Sequence, residues 1–464
     1  MTAAPIDTAR PANGRLASRR ALGAWVMFDW ATQPHFTLIT TFVFAPYFAA
    51  RVAETPVAGQ ALWGYATGAA GLAIALLSPV LGAIADAGGP RKPWIAVFSL
   101  LLIGGAASLW FAAPGAENAV AIALVGFAIA TIGAEFATVF NNGMMPDLVE
   151  ESRLGRLSGT GWAVGYAGGL VSLIVVLGFL VANPESGRTL LGMAPILGLD
   201  SAGFEGDRAS GPFTAIWYTI FVLPLFLLVP DKARRMNFAG SIKAGLCRLW
   251  STVRALRRDA NVGRYLLSHM IYADGLVALF AFGGIYAAGV FRWTSFELGL
   301  FGILLTVTGT IGAVIGGRLD DRFGAKPVIS GALGLLILAS IGILSIDANH
   351  VGFIMEVDPV DIRDGLFAST GERLYLGLGA VIGALAGPLQ AASRSLMARI
   401  APVGQATEFF GLYALSGKLT SFAGPIVIGV VTALSQSQRI GISMLVVFFI
   451  VGGVLLIGVK PARA

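Results

Sequence analysis

The chain has 464 residues, of which 12% are charged and 56% hydrophobic, against roughly 25% charged in an average soluble domain. With a mean hydropathy of +0.77, it lacks the polar surface that soluble domains need. Its net charge of +6 is therefore read as membrane charge, and no nucleic-acid partner is expected. The single Cys247 excludes an internal disulfide and a cysteine metal site. His35, His269 and His350 are too scattered to ligate a metal, so neither metal nor cofactor is expected.

In chain order, residues 1–21 form a basic tail with Arg10, Arg15, Arg19 and Arg20 and no apolar core, which reads as a cytoplasmic segment and not a cleaved leader. Twelve hydrophobic stretches follow, at about 22–49, 61–85, 94–113, 119–145, 158–182, 212–230, 264–290, 297–318, 327–346, 374–400, 408–434 and 440–459. Each is close to the ~20 residues that cross a bilayer, and in lipid only helices satisfy their own backbone. The fold class is thus an all-α integral membrane protein with 12 transmembrane helices. Seven of the 32 basic residues lie in the loops of one side (Arg51, Arg188, Arg208, Arg292, Arg363, Arg373 and Arg439) and two within spans, Arg394 and Lys418. The rest gather on the other side, which the positive-inside bias makes cytoplasmic, together with both termini and the tail 460–464.

The helices divide into two sets of six, 22–230 and 264–459, around a basic linker, 231–263. Within the linker, Ile242, Leu246, Leu249, Trp250, Val253 and Leu256 recur at helical spacing, with Lys243, Arg248, Arg254, Arg257 and Arg258 on the other face. Such a helix lies along a membrane surface.

The two halves are also alike in detail. Ser78 to Ile95 reads SPVLGAIADAGGPRKPWI, and Gly312 to Ile329 reads GAVIGGRLDDRFGAKPVI. Gly82 lines up with Gly316, Asp86 with Asp320 and Lys92 with Lys326. Two matched halves in a membrane protein point to a carrier whose site lies between them. We expect Gly82, Asp86, Arg91, Lys92, Asp320, Arg322 and Lys326 to form a cytoplasmic gate. The plain alternative is turn chemistry plus positive-inside bias.

Ionisable groups inside a span cost roughly 2.5–3.5 kcal/mol on insertion scales and are by default functional. Five stand out: Asp29, Glu135, Asp274, Arg394 and Lys418. Acids and bases together can hold a zwitterion or carry a coupling proton. They can equally neutralise one another, as Asp274 with Lys418 or Asp29 with Arg394.

The six-plus-six pattern with its repeated turns resembles the major facilitator superfamily. Phe28-Asp29-Trp30-Ala31, Pro146-Asp147-Leu148, the run Gly159–Tyr166, Ser393-Arg394-Ser395 and the run Glu408–Lys418 resemble its vacuole-effluxer branch. That resemblance implies two pseudo-symmetric six-helix bundles, with helices 1, 4, 7 and 10 lining a cavity. Asp29, Glu135, Asp274 and Arg394 fall on those four. It implies a bacterial-type, monomeric carrier in the inner membrane. The cargo would be a small solute, an amino acid first, with efflux as the direction and no enzymatic activity. A carrier of sugar, drug or organic ion, or a non-transporting sensor or scaffold, are the alternatives. Where the branch begins its first helix Tyr-Asp-Trp-Ala-Asn-Ser, this chain has Phe28 and then Thr32-Gln33-Pro34, a difference that bears on cargo and not on fold.

Overall fold

The computed structural model describes residues 17–460 apart from 184, 185, 236, 257–259, 292, 294, 348, 358–366, 419, 421 and 422. Most of the basic tail, Arg257, Arg258, Arg292, Arg363 and the last four residues therefore lie outside the described part. The helices are α1 (Arg19–Pro34), α2 (Phe44–Tyr47), α3 (Pro56–Gly88), α4 (Lys92–Ser108), α5 (Ala119–Leu148), α6 (Leu154–Phe179), α7 (Glu205–Leu228) and α8 (Phe238–Leu256) in the first half and linker. The second half holds α9 (Ala260–Phe291), α10 (Ser295–Phe323), α11 (Ala325–Leu344), α12 (Thr370–Ile400), α13 (Ala406–Lys418), α14 (Ala423–Ser435) and α15 (Gln438–Ile457).

Twelve spans are present, and two of them differ from the uninterrupted helices the sequence suggested. Ten helices are long and apolar enough to cross a membrane among the described residues. The first span instead runs α1, a π-helical stretch (His35–Phe42), α2 and a second π-helical stretch (Phe48–Val52). Pro34, at the end of α1, removes a backbone donor, and the wider π turn absorbs the mismatch. The eleventh span is split into α13 and α14. Pro425, near the start of α14, has no N–H to continue the helix backwards. Pro79, Pro224 and Pro388 sit within unbroken helices.

Leu76, Leu100, Ile174, Ile220, Leu338 and Val454 are exposed on the outer faces of the spans, where lipid is their solvent. Inside, α1, α3, α4, α5, α6 and α7 pack together, as do α9 to α15. The two sets meet chiefly through α3 against α13 and α6 against α10. Both crossings are made by small residues. A Cβ on Gly82 would come within 2.5 Å of the Thr407 carbonyl, and one on Gly159 within 2.5 Å of that of Ala313. Helices in lipid associate through such close backbone approach, because apolar burial offers no gain there. Opposite the linker, the two long loops carry short antiparallel hairpins, Ala182–Asn183 with Arg188–Thr189 and His350–Val351 with Met355–Glu356.

Candidate functional site

The charged groups are arranged in three tiers, counted inward from the side that carries the linker. The outermost is the repeated turn. Asp86, buried near the end of α3, takes Arg91 Nη2 at 2.9 Å with one oxygen and accepts the backbone N–H of Glu408 at 2.9 Å with the other. Glu408 lies in the first turn of α13, so an acid of the first bundle caps a helix of the second. Its carboxylate meets the partial positive charge of that helix end. Arg91 also holds Asp147 Oδ2 at 2.6 Å and donates from Nε to Thr407 Oγ1 at 2.6 Å. Asp231 of the linker accepts the N–H groups of Arg91 and Lys92, and Lys232 reaches Asp147 at 2.8 Å. Burial beside Arg91 holds the Lys232 ammonium below its ordinary value.

The second copy of the turn does the same job with different residues. Asp321 accepts the N–H of Arg156, in the first turn of α6, at 2.9 Å, and its other oxygen lies 3.3 Å from the Arg156 guanidinium. The neighbouring Asp320 is buried and stays within its own bundle, hydrogen-bonded to Ser395 and paired with Arg399. Gly155 allows this carboxylate to lie against α6, since a Cβ there would come within 2.5 Å of Asp320 Cγ.

The two lysines of the repeat do not join these caps. Lys92 Nζ donates to the Phe226 carbonyl at 2.8 Å, and Lys326 Nζ to those of Ile457 and Val459 at 2.7 Å. Each ties the start of one helix to the end of another in its own half, α7 or α15. Arg322 is exposed and lies over the Phe323 ring at 5.1 Å, away from Asp320. Asp321, Thr407 and Arg399 were not picked out in the sequence, Asp147 only as part of the Pro146-Asp147-Leu148 motif and Asp231 only as the start of the linker. The adjacent Asp320-Asp321 pair was the one available hint.

The middle tier is Asp29 with Arg394, about 15 Å and about 9 Å inside the ends of α1 and α12 at 1.5 Å per residue. Asp29 Oδ2 takes Arg394 Nη1 at 3.0 Å. Three further guanidinium donors go to Ser158 Oγ (2.9 Å), the Ser158 carbonyl (2.6 Å) and Asn142 Oδ1 (3.3 Å). The Trp25 and Trp162 rings lie 5.3 Å and 5.7 Å from its Cζ. Gly161 makes room: a Cβ there would press into Asp29 Oδ2 and lie 2.7 Å from Arg394 Nη2. The Arg394 side chain is only 4% exposed. Four of its five N–H groups are hydrogen-bonded, and the enclosed pair joins the two bundles.

The innermost tier is Glu135 with Lys418, about 20 Å and about 18 Å inside α5 and α13. Lys418 Nζ lies 2.6 Å from Glu135 Oε1, so the pairing of Lys418 is with Glu135 and not with Asp274. This pair also joins the two bundles, but the Lys418 side chain is 34% exposed and that of Glu135 15%. Lys418 is the last residue of α13. Asp274 is buried on α9, with Oδ1 lacking a hydrogen-bond partner among the described residues. It lies against the start of α14, where a Cβ on Gly424 would come within 2.8 Å of its carbonyl. His35 is buried and shares a hydrogen bond with Thr131 (3.1 Å), and His269 does so with Ser416 (2.9 Å) while stacking on Tyr413.

Two pseudo-symmetric bundles closed on one side by reciprocal helix caps, with ionic pairs between them, define a transporter of the major facilitator type. Solved structures agree on the fold. The chain superposes on the fucose transporter FucP in its outward conformation with a TM-score of 0.69, at 17% identity over 95% of this chain and 98% of that one. On the proton:xylose symporter XylE the TM-score is 0.67, at 13% identity over 96% of each chain. More particularly, the sequence profile described as "Vacuole effluxer Atg22 like" matches residues 47–464, and the chain belongs to that family. It is 25% identical over 440 residues to the uncharacterized MFS-type transporter YxiO of Bacillus subtilis (strain 168), covering 93% of both chains. To autophagy-related protein 22 of Cryptococcus neoformans var. neoformans serotype D (strain B-3501A) it is 25% identical over 313 residues, 65% of this chain. The chain spans about half the length of the fungal relatives it matches, 52% and 50% for the two Cryptococcus sequences. Family and fold are those of transporters and not of enzymes.

Proposed function

We propose that the protein is a secondary transporter that moves a small zwitterionic solute, an amino acid in the first place, by rocking its bundles about the Glu135–Lys418 pair. The observation that carries this reading is that pair: opposite charges from opposite bundles, deep in the membrane and in part exposed. A free amino acid replaces the pair without adding net charge. Its carboxylate takes Lys418 and its ammonium takes Glu135, so neither buried ion is left without a partner, a loss that would cost about 3–5 kcal/mol. Asp29–Arg394 holds the linker side shut beneath the site, and Asp86 with Asp321 closes it again at the helix ends. Opening that side requires all three contacts to part.

Asp274, a carboxyl group held without a matching cation among the described residues, is the group we assign to a coupling proton. The family's description as a vacuole effluxer supports export as the direction. The basic linker supports a cytoplasmic placement of that side, and the YxiO likeness a bacterial membrane.

The test is a thermal-shift screen of purified protein against the twenty amino acids, sugars and nucleotides, since a ligand of the native state raises its melting temperature. Counterflow of the stabilising compound in proteoliposomes follows. Glu135→Gln and Lys418→Ala should each abolish both the shift and the flux. A sugar that stabilises while every amino acid fails, or flux untouched in both variants, refutes the reading.

A further inference from the structure

The linker helix α8 is fastened to the closed end of α3 and leaves its other face open. Ser241 and Gly245 turn toward α3. A Cβ on Gly245 would come within 2.7 Å of Ile84 Cα, and one on Gly88 within 3.0 Å of Ser241 Oγ. Just upstream, the N–H of Arg235 donates to the Gly88 carbonyl at 2.9 Å, and Asp231 holds the start of α4. The Phe238 ring lies 6.1 Å from that of Trp94, at the end of the third span. The helix is therefore seated at the level where the spans end, on the two turns of α3 that carry Gly82 and Asp86.

The packing of α8 through its small residues reverses what an amphipathic helix in a soluble protein does. Three of its large apolar side chains are left outside: Phe238, Leu246 and Trp250 are exposed, Trp250 to 65%, while Ile242 and Leu249 are half-buried. Lys243 is exposed among them. The segment 231–263 carries eight basic residues and two acidic ones. A face of Trp, Phe, Leu and Lys at the span ends fits a layer that is apolar below and anionic above. We propose that α8 docks on the anionic headgroup layer of the membrane, and that this contact stabilises the closed gate through the Gly245–Ile84 contact and Asp231. The proposal rests on the carrier reading only in calling that end a gate.

Cys247, the one cysteine of the chain, is exposed on α8 and needs no engineering to accept a probe. An environment-sensitive fluorophore on Cys247 is read in nanodiscs of brominated phosphatidylglycerol and of brominated phosphatidylcholine. Amide hydrogen exchange over 78–95 is followed in the same discs. We expect quenching and slowed exchange in phosphatidylglycerol, both reduced in phosphatidylcholine. Both should be lost in the surface variant Leu246→Ser/Trp250→Ser. Lys243→Glu should reduce both in phosphatidylglycerol alone. A probe that stays in water in both lipids overturns the docking and leaves the face to a soluble protein. Quenching without any change in exchange reduces α8 to an anchor and overturns the regulatory part. Neither readout involves cargo, so a failed transport assay leaves this result standing, and the reverse holds as well.

Discussion

Removing Asp29 tests the role given to the middle tier. Arg394 is 4% exposed and Asp29 is the one acid paired with it among the described residues. Asp29→Ala leaves a guanidinium enclosed by Trp25, Trp162, Ser158 and Asn142 with no counter-charge. Breaking a buried pair from one side costs about 3–5 kcal/mol. At about 2.1 cal/mol/K per residue of unfolding entropy, that lowers the melting midpoint of this chain by only about 3–5 °C. Asp29→Asn keeps an acceptor for Nη1 and forfeits the charge, so about 1.5–3 kcal/mol is expected, the worth of a charged hydrogen bond. Asp29→Ala/Arg394→Met removes both charges and should recover most of the loss, because the remaining groups are neutral. The assay is thermal unfolding of the detergent-purified protein, with the parent, Asp29→Ala, Arg394→Met and the double variant forming one double-mutant cycle. If Asp29→Ala melts within 1 °C of the parent, or the double variant is no better than the single, Arg394 draws nothing from Asp29 and the fastening does not exist.

The other expectations concern neighbouring contacts. Gly161→Ala places a methyl group against Asp29 and Arg394 at once, and should lower the melting midpoint about as much as Asp29→Asn, through overpacking of about 1–3 kcal/mol. Asp86→Asn weakens the cap on α13 and the grip on Arg91, whereas Lys92→Met frees only the Phe226 carbonyl. In a Cys247→Ser background, a cysteine in place of the buried Ala406, beside Thr407, should react faster with a water-soluble maleimide in the first variant only, and equal rates would remove Asp86 from the gate. Asp321→Asn should act like Asp86→Asn and more strongly than Arg322→Ala, an order read with the same cysteine. On the far side, burial pushes the Asp347 carboxyl up, but the N–H groups of Asn349 and His350, with the His350 ring, outweigh this and hold it below its usual value of 3.8. Its contribution to the 347–357 loop is complete above that value and is lost as pH falls through the lower folded one. Amide exchange of the loop should accelerate there in the parent but not in Asp347→Asn.

Much of this protein is written in the chain itself. A bilayer tolerates only helices of a fixed length, so span number followed from counting apolar residues. The halves announced themselves through the repeated turns, and intramembrane charge stood out because lipid makes it costly. Tertiary structure decided which charges meet. Lys418 took Glu135 of α5 and left Asp274 of α9, although α13 packs on both helices. The caps were divided between Asp86 and Asp321, although the repeat aligns Asp86 with Asp320, since a one-residue step on a helix turns a side chain by about 100°, and of the two acids that lie against α6 it is Asp321 that accepts a backbone N–H of its first turn. Lys92 and Lys326, alike in sequence to gate residues, became struts within their own halves. The physical reason is the same each time. The cost of burying a charge depends on its own position, which sequence records, whereas its partner is fixed by the rotation and crossing of another helix far away in the chain.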